Sequence, residues 1–235
     1  MRELKPTEFE DIIAMVALYR PGPMEWIPDY ISGKHKKKKP SYLHSKLEPI
    51  LSRTYGVALY QEQVMQMARD LAGFTMAEAD VLRKAVGKKI PKLLIEQKEK
   101  FIEGCVRNGI ASQLADKIFS FIEPFAGYGF NRSHAACYAL IGYQTAYLKA
   151  HWPTEFMAAP LSSDQNDIDR IAIEIEECRH MGIEVSRPDI NQSYGSFTVV
   201  TSGTEENKAV SKNEEVKVIR FGLRAIKNVG EHIAE

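Results

Sequence analysis

A mainly α-helical protein that closes in a short β-hairpin is expected, on three grounds. Apolar residues recur at helical spacing through the first 185 positions, glycine and proline cut that stretch into pieces of helix length, and after Pro188 the pattern changes to two short β-rich runs, SFTVV and VKVIRF. Thr7 to Ala17 reads as an amphipathic helix opened by a Thr cap, with Glu10 three residues on, and stopped by Pro21-Gly22-Pro23. Gln61 to Leu71 places Val64, Met67, Ala68 and Leu71 on one face. Thr75 and Glu78 make a capping box for a helix running to Val86; Gly87 can end it, with Lys88 and Lys89 near its negative pole. A helix from Leu94 to Asn108 stops at Gly109, and one from Ser112 to Ile122 stops at Pro124.

The Gly127-Tyr128-Gly129 turn then leads into a helix from Ala135 to Ala150, with Ser133 as its cap. Its side chains are apolar on nearly every face, so burial all round is expected. Between Asp167 and Met181, Ile171, Ile173 and Ile175 alternate like a strand, whereas Ile168, Ile171, Ile175 and Cys178 follow a helix; length and Gly182 favour the helix. The polar stretch TSGTEENKAVSKNEE joins the two β-rich runs as a hairpin loop, and FGLRAIKNVGEHIAE opens a new helical unit. Residues 1–185 thus form a helical domain, 186–218 a linker and hairpin, and 219–235 the start of the next module.

With 44% hydrophobic and 26% charged residues, the chain has enough apolar mass for one or two globular domains. Equal numbers of basic and acidic side chains, 31 each, argue against a binder of polyanions that works through bulk positive field. Nucleic-acid contact must therefore be local, and the candidates are the clusters at Lys34 to Lys39, Arg83 to Lys89, and Lys98 with Lys100. The run HKKKKP reads as a solvated loop before Pro40. Cys105, Cys137 and Cys178 cannot all pair and lack CxxC spacing, which suits buried thiols in a reduced, cytoplasmic setting. Signal-peptide and membrane-spanning patterns are not expected, because Tyr143, Gln144, Thr145 and Lys149 break the most apolar run.

Chemistry is concentrated where Asn131, Arg132, Ser133 and His134 gather donors at a helix start, an arrangement suited to an anion such as phosphate. Taken locally, the same turn serves equally as a connection. Arg83 and Lys84 lie on the capped helix, with Lys84 and Lys88 four apart on one face; without other information they are solvated surface charges. Gln61, Glu62 and Gln63 look suited to joining helices by hydrogen bonds. Asp167 and Asp169 fit the first turn of a helix better than a metal site. Two further function classes are open on residues alone: a non-enzymatic helical adaptor for nucleic acid or protein, and a metal or thiol enzyme using His134, Cys137 and His151. The thiol reading is opposed by the apolar helix around Cys137, where burial would make it inert.

Three blocks carry a resemblance: VALYRPGPM at Val16–Met24, TYGVALYQEQVMQMARDLAGFTMAEADVLRKAVGKK at Thr54–Lys89, and FAGYGFNRSHAACYALIGYQTAYLKAHWPTEFMAA at Phe125–Ala159. In wording and order they resemble the fingers domain of bacterial DNA polymerase III alpha subunits, the C family of replicative polymerases, and weaker likeness continues through ECRHMGIEVSRPDINQS to Ser193. The turn at Ile226 to Gly230 resembles the start of the helix-hairpin-helix region that follows the fingers in this family. The resemblance implies that the chain helps bind an incoming deoxynucleoside triphosphate and primer-template DNA. It assigns Arg83 and Lys84 to the triphosphate, where two arginines are frequent, with Lys88 beside them; Lys84 keeps charge but loses bidentate geometry. It assigns Tyr128 and His134 to the nascent base pair and nucleotide, with Asn131 and Arg132 as helpers; the family often has Lys where Arg132 stands. Arg20, before Pro21, either braces this wall or, equally, fixes the Arg20-Pro21-Gly22-Pro23 turn. Pro160 departs from the family's usual apolar residue and argues against helix beyond Ala159. Catalytic carboxylates and their Mg2+ belong to a palm domain in the family, so neither a catalytic residue nor a metal site is expected in this chain. A sliding clamp and other replicase subunits would engage other regions, and no membrane is implied.

Overall fold

The computed structural model describes residues 1–88, 90–201, 216–229 and 232, and for 125–127 the backbone alone. The chain divides into two compact units, Met1–Gly142 and Tyr143–Glu235. The first holds α1 (Phe9–Leu18), α2 (Ile27–Lys34), α3 (Glu48–Leu51), α4 (Gln61–Ala72), α5 (Met76–Gly87), α6 (Pro91–Arg107), α7 (Ser112–Tyr128) and the start of α8 (Arg132–His151). Two apolar clusters fill it. One joins α3 to α7 around Met67, Leu71, Leu82, Phe101, Phe119 and Ile122, and the other joins Leu4, α1, Tyr30, Leu59 and Tyr60 to Ala135 and Ala139 of α8.

The capping box at Thr75 and Glu78 opens α5 as expected, with both reciprocal bonds made. Left-handed glycines at 73 and 109 follow α4 and α6, and Gly182 follows the helix Ile168–His180, where a helix end needs φ > 0. Gly104 serves another purpose: a Cβ there would lie 2.2 Å from the Ala72 carbonyl oxygen, so only glycine lets α6 approach α4 this closely.

Several local expectations are corrected. α1 begins at Phe9, and Asp11 rather than Glu10 bonds back to its start, accepting from the Thr7 and Glu8 amides at 2.9 and 3.1 Å. The shorter carboxylate folds back onto the backbone, which leaves Glu10 for a distant arginine. Lys34, in the basic cluster just before the HKKKKP run, is not a free surface charge. It closes α2 as an almost fully enclosed ion pair with Asp11 at 2.6 Å, whereas Lys38 does pair at the surface with Asp29. α7 continues through Pro124 to Tyr128: proline deletes one helical N–H, but Ile118, Phe119 and Ile122 are wholly buried and hold the axis.

α8 is capped by Asn131, whose Oδ1 accepts from the His134 amide at 2.8 Å, and not by Ser133. Nor is α8 buried all round. Only Ala135 and Ala139 are enclosed; Tyr138, Leu140, Ile141, Tyr143, Tyr147 and Leu148 are exposed, because two alanines one turn apart are all that the first unit's core admits.

In the second unit α9 (Pro153–Ser163) passes through Pro160, contrary to the expected break, with Met157, Ala158 and Leu161 in the core. α10 (Ile168–His180) confirms the helical period of the isoleucines and is capped by Asp167, which accepts from the Arg170 amide. β2 (Thr198–Thr201) and β3 (Lys217–Arg220) pair antiparallel with Val199 opposite Ile219, as the hairpin reading requires. A two-residue strand, β1 (Val185–Ser186), adds to β3 in parallel and gives the order β1-β3-β2. Residues 202–215 of the expected loop, together with Lys89 and Gly230, lie outside the described residues.

Candidate functional site

Most of the nominated residues meet where α7 gives way to α8. Gly129 is extended at φ −54°, and the next residue forms a short parallel bridge: Phe130 N–H donates to the Leu59 carbonyl at 2.9 Å, and Gln61 N–H donates to the Phe130 carbonyl at 3.0 Å. This fixes the start of α8 against the start of α4. The glycines therefore do not make a free turn, since Tyr128 still belongs to α7.

Tyr128 is 41% exposed and stands edge-on to Trp26, with ring centroids 6.4 Å apart. His134 is exposed and packs between Phe130 and Tyr138, at 5.4 and 4.7 Å. Arg20 lies in the same wall. Its guanidinium sits 4.4 Å from the Phe130 ring centre and donates to the Tyr128 carbonyl at 2.6 Å, and burial lowers its pKa from the ordinary arginine value.

The two helpers are already engaged. Glu62 occupies the helix start that the sequence reading offered to phosphate: its carboxylate accepts from Asn131 Nδ2 at 3.0 Å and from the Arg132 amide at 3.1 Å. The Arg132 guanidinium pairs with Glu10 at 2.5 Å, and that bond raises its pKa. Gln63 confirms its joining role, with Oε1 accepting from the Leu59 and Tyr60 amides and Nε2 donating to Ile50 and Thr54. Next to this junction a cavity of about 350 Å³ opens, lined by Glu10, Arg53, Tyr60, Glu62, Gln66 and Arg132 among others.

Arg83 reaches the junction through its 3.3 Å bond to Gln61. Asp80 holds both cations of the pair, Arg83 at 2.7 Å and Lys84 at 2.7 Å, and the Lys84 bond followed by the Arg83 bond lowers its carboxyl pKa. Lys88 is exposed at the end of α5. Sequence reasoning named the cations and missed their counter-charges. Asp80 was findable, since it lies three and four residues before them on one helix; Glu10 was not, being 122 residues from Arg132, whereas Glu62, read as a residue that joins helices by hydrogen bonds, does join α4 to the start of α8.

Among the described residues, no three His, Cys, Asp or Glu side chains converge as metal ligands, so these residues do not fit a pair of divalent ions. Asp167 is occupied as a cap. Cys105 and Cys178 are buried and pushed up to about 11 by that burial, but Cys137 is exposed, which corrects the expectation that all the thiols are enclosed. No helix among the described residues is long and apolar enough to cross a membrane.

Residues 1–109 match the family model for the bacterial DNA polymerase III alpha subunit finger domain. DNA polymerase III alpha subunits of Pseudomonas aeruginosa, Rickettsia prowazekii and Thermus aquaticus are 48%, 52% and 48% identical to this chain over 98%, 97% and 100% of its length. The chain belongs to the bacterial DNA polymerase III alpha subunit family. It spans 19%, 21% and 18% of the length of those three relatives. Residues 182–235 match a helix-hairpin-helix motif, which follows the helical region and includes the β-strands. α4 and α5 lie within the residues that match the finger domain.

Proposed function

We propose that the first unit is the part of a replicative DNA polymerase that grips the incoming deoxynucleoside triphosphate and faces the primer-template during template-directed DNA synthesis. The observation that carries this reading is the convergence, on one braced wall, of an exposed Tyr128, an exposed His134 and the Arg20 guanidinium, with the Arg83-Lys84 pair tied to the same junction through Gln61. A tyrosine ring offers a stacking face that tolerates any base. A triphosphate bears about three to four negative charges, and only cations from rigid elements hold it in line. Asp80 keeps Arg83 and Lys84 extended side by side, and phosphate oxygens exchange with its carboxylate when nucleotide arrives. Lys88 adds charge at the end of the same helix. Asn131 and Arg132 set the pitch of α8 through Glu62 and Glu10, and so present His134.

Mg2+ in the complete polymerase would be held by palm carboxylates outside this chain and would supply the charge neutralisation of phosphoryl transfer. The sliding clamp and other replicase subunits bind through other regions, and the setting is the cytoplasm. The reading is tested by Arg83→Ala in a complete alpha subunit carrying this segment. Apparent nucleotide KM should rise, or kcat/KM fall, about tenfold, the scale of one charge-assisted hydrogen bond. Unchanged kinetics in folded enzyme would count against it and favour a helical adaptor that binds DNA without nucleotide.

A further inference from the structure

The turn between α1 and α2 has a geometry that a connection alone does not require. Gly22 takes φ 96° and ψ −75°, the rare and strained γ-turn region that an L side chain avoids. A Cβ at this position would lie 2.8 Å from Tyr128 Cε1 and 3.1 Å from Cδ1 and Cζ, so the tyrosine ring lies directly on the glycine backbone. Beside it, Arg20 donates from Nε to the Ala17 carbonyl at 2.9 Å and from Nη2 to the Tyr128 carbonyl at 2.6 Å, across 108 residues of sequence. The same guanidinium plane covers Phe130, and Trp26 closes the edge of the Tyr128 ring.

We infer that the Arg20–Pro23 turn is the positioning device for Tyr128, with Gly22 as the seat of its ring and Arg20 as the latch on its backbone. The inference rests on the reading of Tyr128 as a nucleotide-facing residue. Arg20 acts through geometry: a planar fork spans two carbonyls and a ring, which an ammonium of equal charge does not. Gly22 acts through absence of a side chain. Both are positioning residues, since neither is required to touch nucleotide.

The test has two arms. In this chain, 3-fluorotyrosine placed at position 128 is followed by fluorine NMR in Gly22→Ala, Arg20→Lys and Arg20→Ala. All three should shift and broaden the resonance, the lysine variant as much as the alanine one. In a complete alpha subunit carrying this segment, Gly22→Ala and Arg20→Lys should raise apparent nucleotide KM about five- to tenfold with kcat changed less than about twofold. Neither should add to the effect of Tyr128→Ala, because residues acting as one unit are not additive. An unmoved resonance in a folded Gly22→Ala or Arg20→Lys protein overturns the inference, as does full additivity with Tyr128→Ala. Rescue of the Arg20→Ala KM by Lys also overturns it and makes Arg20 a charge contact. Should Gly22→Ala not fold, Arg20→Lys decides in both arms. A shifted resonance combined with no effect of Tyr128→Ala on KM refutes the nucleotide reading of Tyr128 and leaves the seat and latch standing.

Discussion

Replacing Asp11 by Ala strikes the bond that closes the α1–turn–α2 segment. The Asp11 carboxylate accepts from Lys34 Nζ at 2.6 Å and from the Thr7 and Glu8 amides, and the paired side chains are 4% and 8% exposed. Removing one partner of an enclosed pair costs about 3–5 kcal/mol, because the other charge stays behind. Lys34 keeps a 2.8 Å bond to Thr7 Oγ1, which places the expected loss at the lower end, about 3 kcal/mol. For a unit of 142 residues that is a fall in Tm of about 10 °C, read by circular dichroism at the helical band. A cycle of Asp11→Ala, Lys34→Ala and the double variant should give a coupling above about 1.5 kcal/mol; a value below about 0.5 kcal/mol would be that of a surface pair and would refute the reasoning. The pH dependence has a definite sign. Burial alone would raise the Asp11 pKa, but the Lys34 bond and the two amides outweigh it and lower it. Glu78 is held at about 2 by Lys100 and Thr75. Both shifts favour the charged form in the folded state, so their stabilisation is complete above the ordinary carboxylate pKa of about 4 and is lost as pH falls through the depressed values.

Gly104→Ala should lower the denaturant midpoint by at least about 1 kcal/mol equivalent, since overpacking against the Ala72 carbonyl exceeds the gain of about 1 kcal/mol in helix propensity; Gly142→Ala, with open space around its Cβ, should not destabilise. The 235-residue chain should extend no primer with magnesium or manganese beside an active complete alpha subunit, and template-dependent extension by the purified chain would require metal ligands here, with Asp167 and Asp169 the first to be substituted.

Helices whose ends are written in local chemistry were legible: Thr75 with Glu78, Gly109 and Gly182 mark boundaries that the backbone obeys. The failures share a cause, which is that local pattern does not report what packs nearby. Proline at 124 and 160 normally ends helices, yet burial on either side keeps α7 and α9 intact. The apolar run of α8 looked like a core helix because composition counts side chains and not their neighbours. Ser133 and Asn131 are both good caps, and the choice was made by Glu62, which binds Asn131 Nδ2 and turns its Oδ1 toward the His134 amide. β1 is too short to show a period. At the site, the cations and aromatics were readable from motif and resemblance, whereas the carboxylates that hold them come mostly from remote segments.

The bridge between Leu59–Gln61 and Phe130 makes a neck, and α4 to α7 lie between its two ends, packed in one apolar cluster that also takes in Leu47, Ile50 and Leu51 from before the bridge. Closing a loop of about 70 residues costs about 4 kcal/mol in chain entropy, which the bundle offsets by folding and bringing its two ends together. Tyr128 sits just before the closing end at Phe130 and His134 just past it. Their order is therefore leased from a cluster that contains neither of them, and a methyl group deleted around Phe101 or Leu82 loosens the neck and blurs the wall from a distance. Evolution or an engineer can tune how firmly this finger domain presents its aromatic face by editing the bundle, without changing one residue of the face.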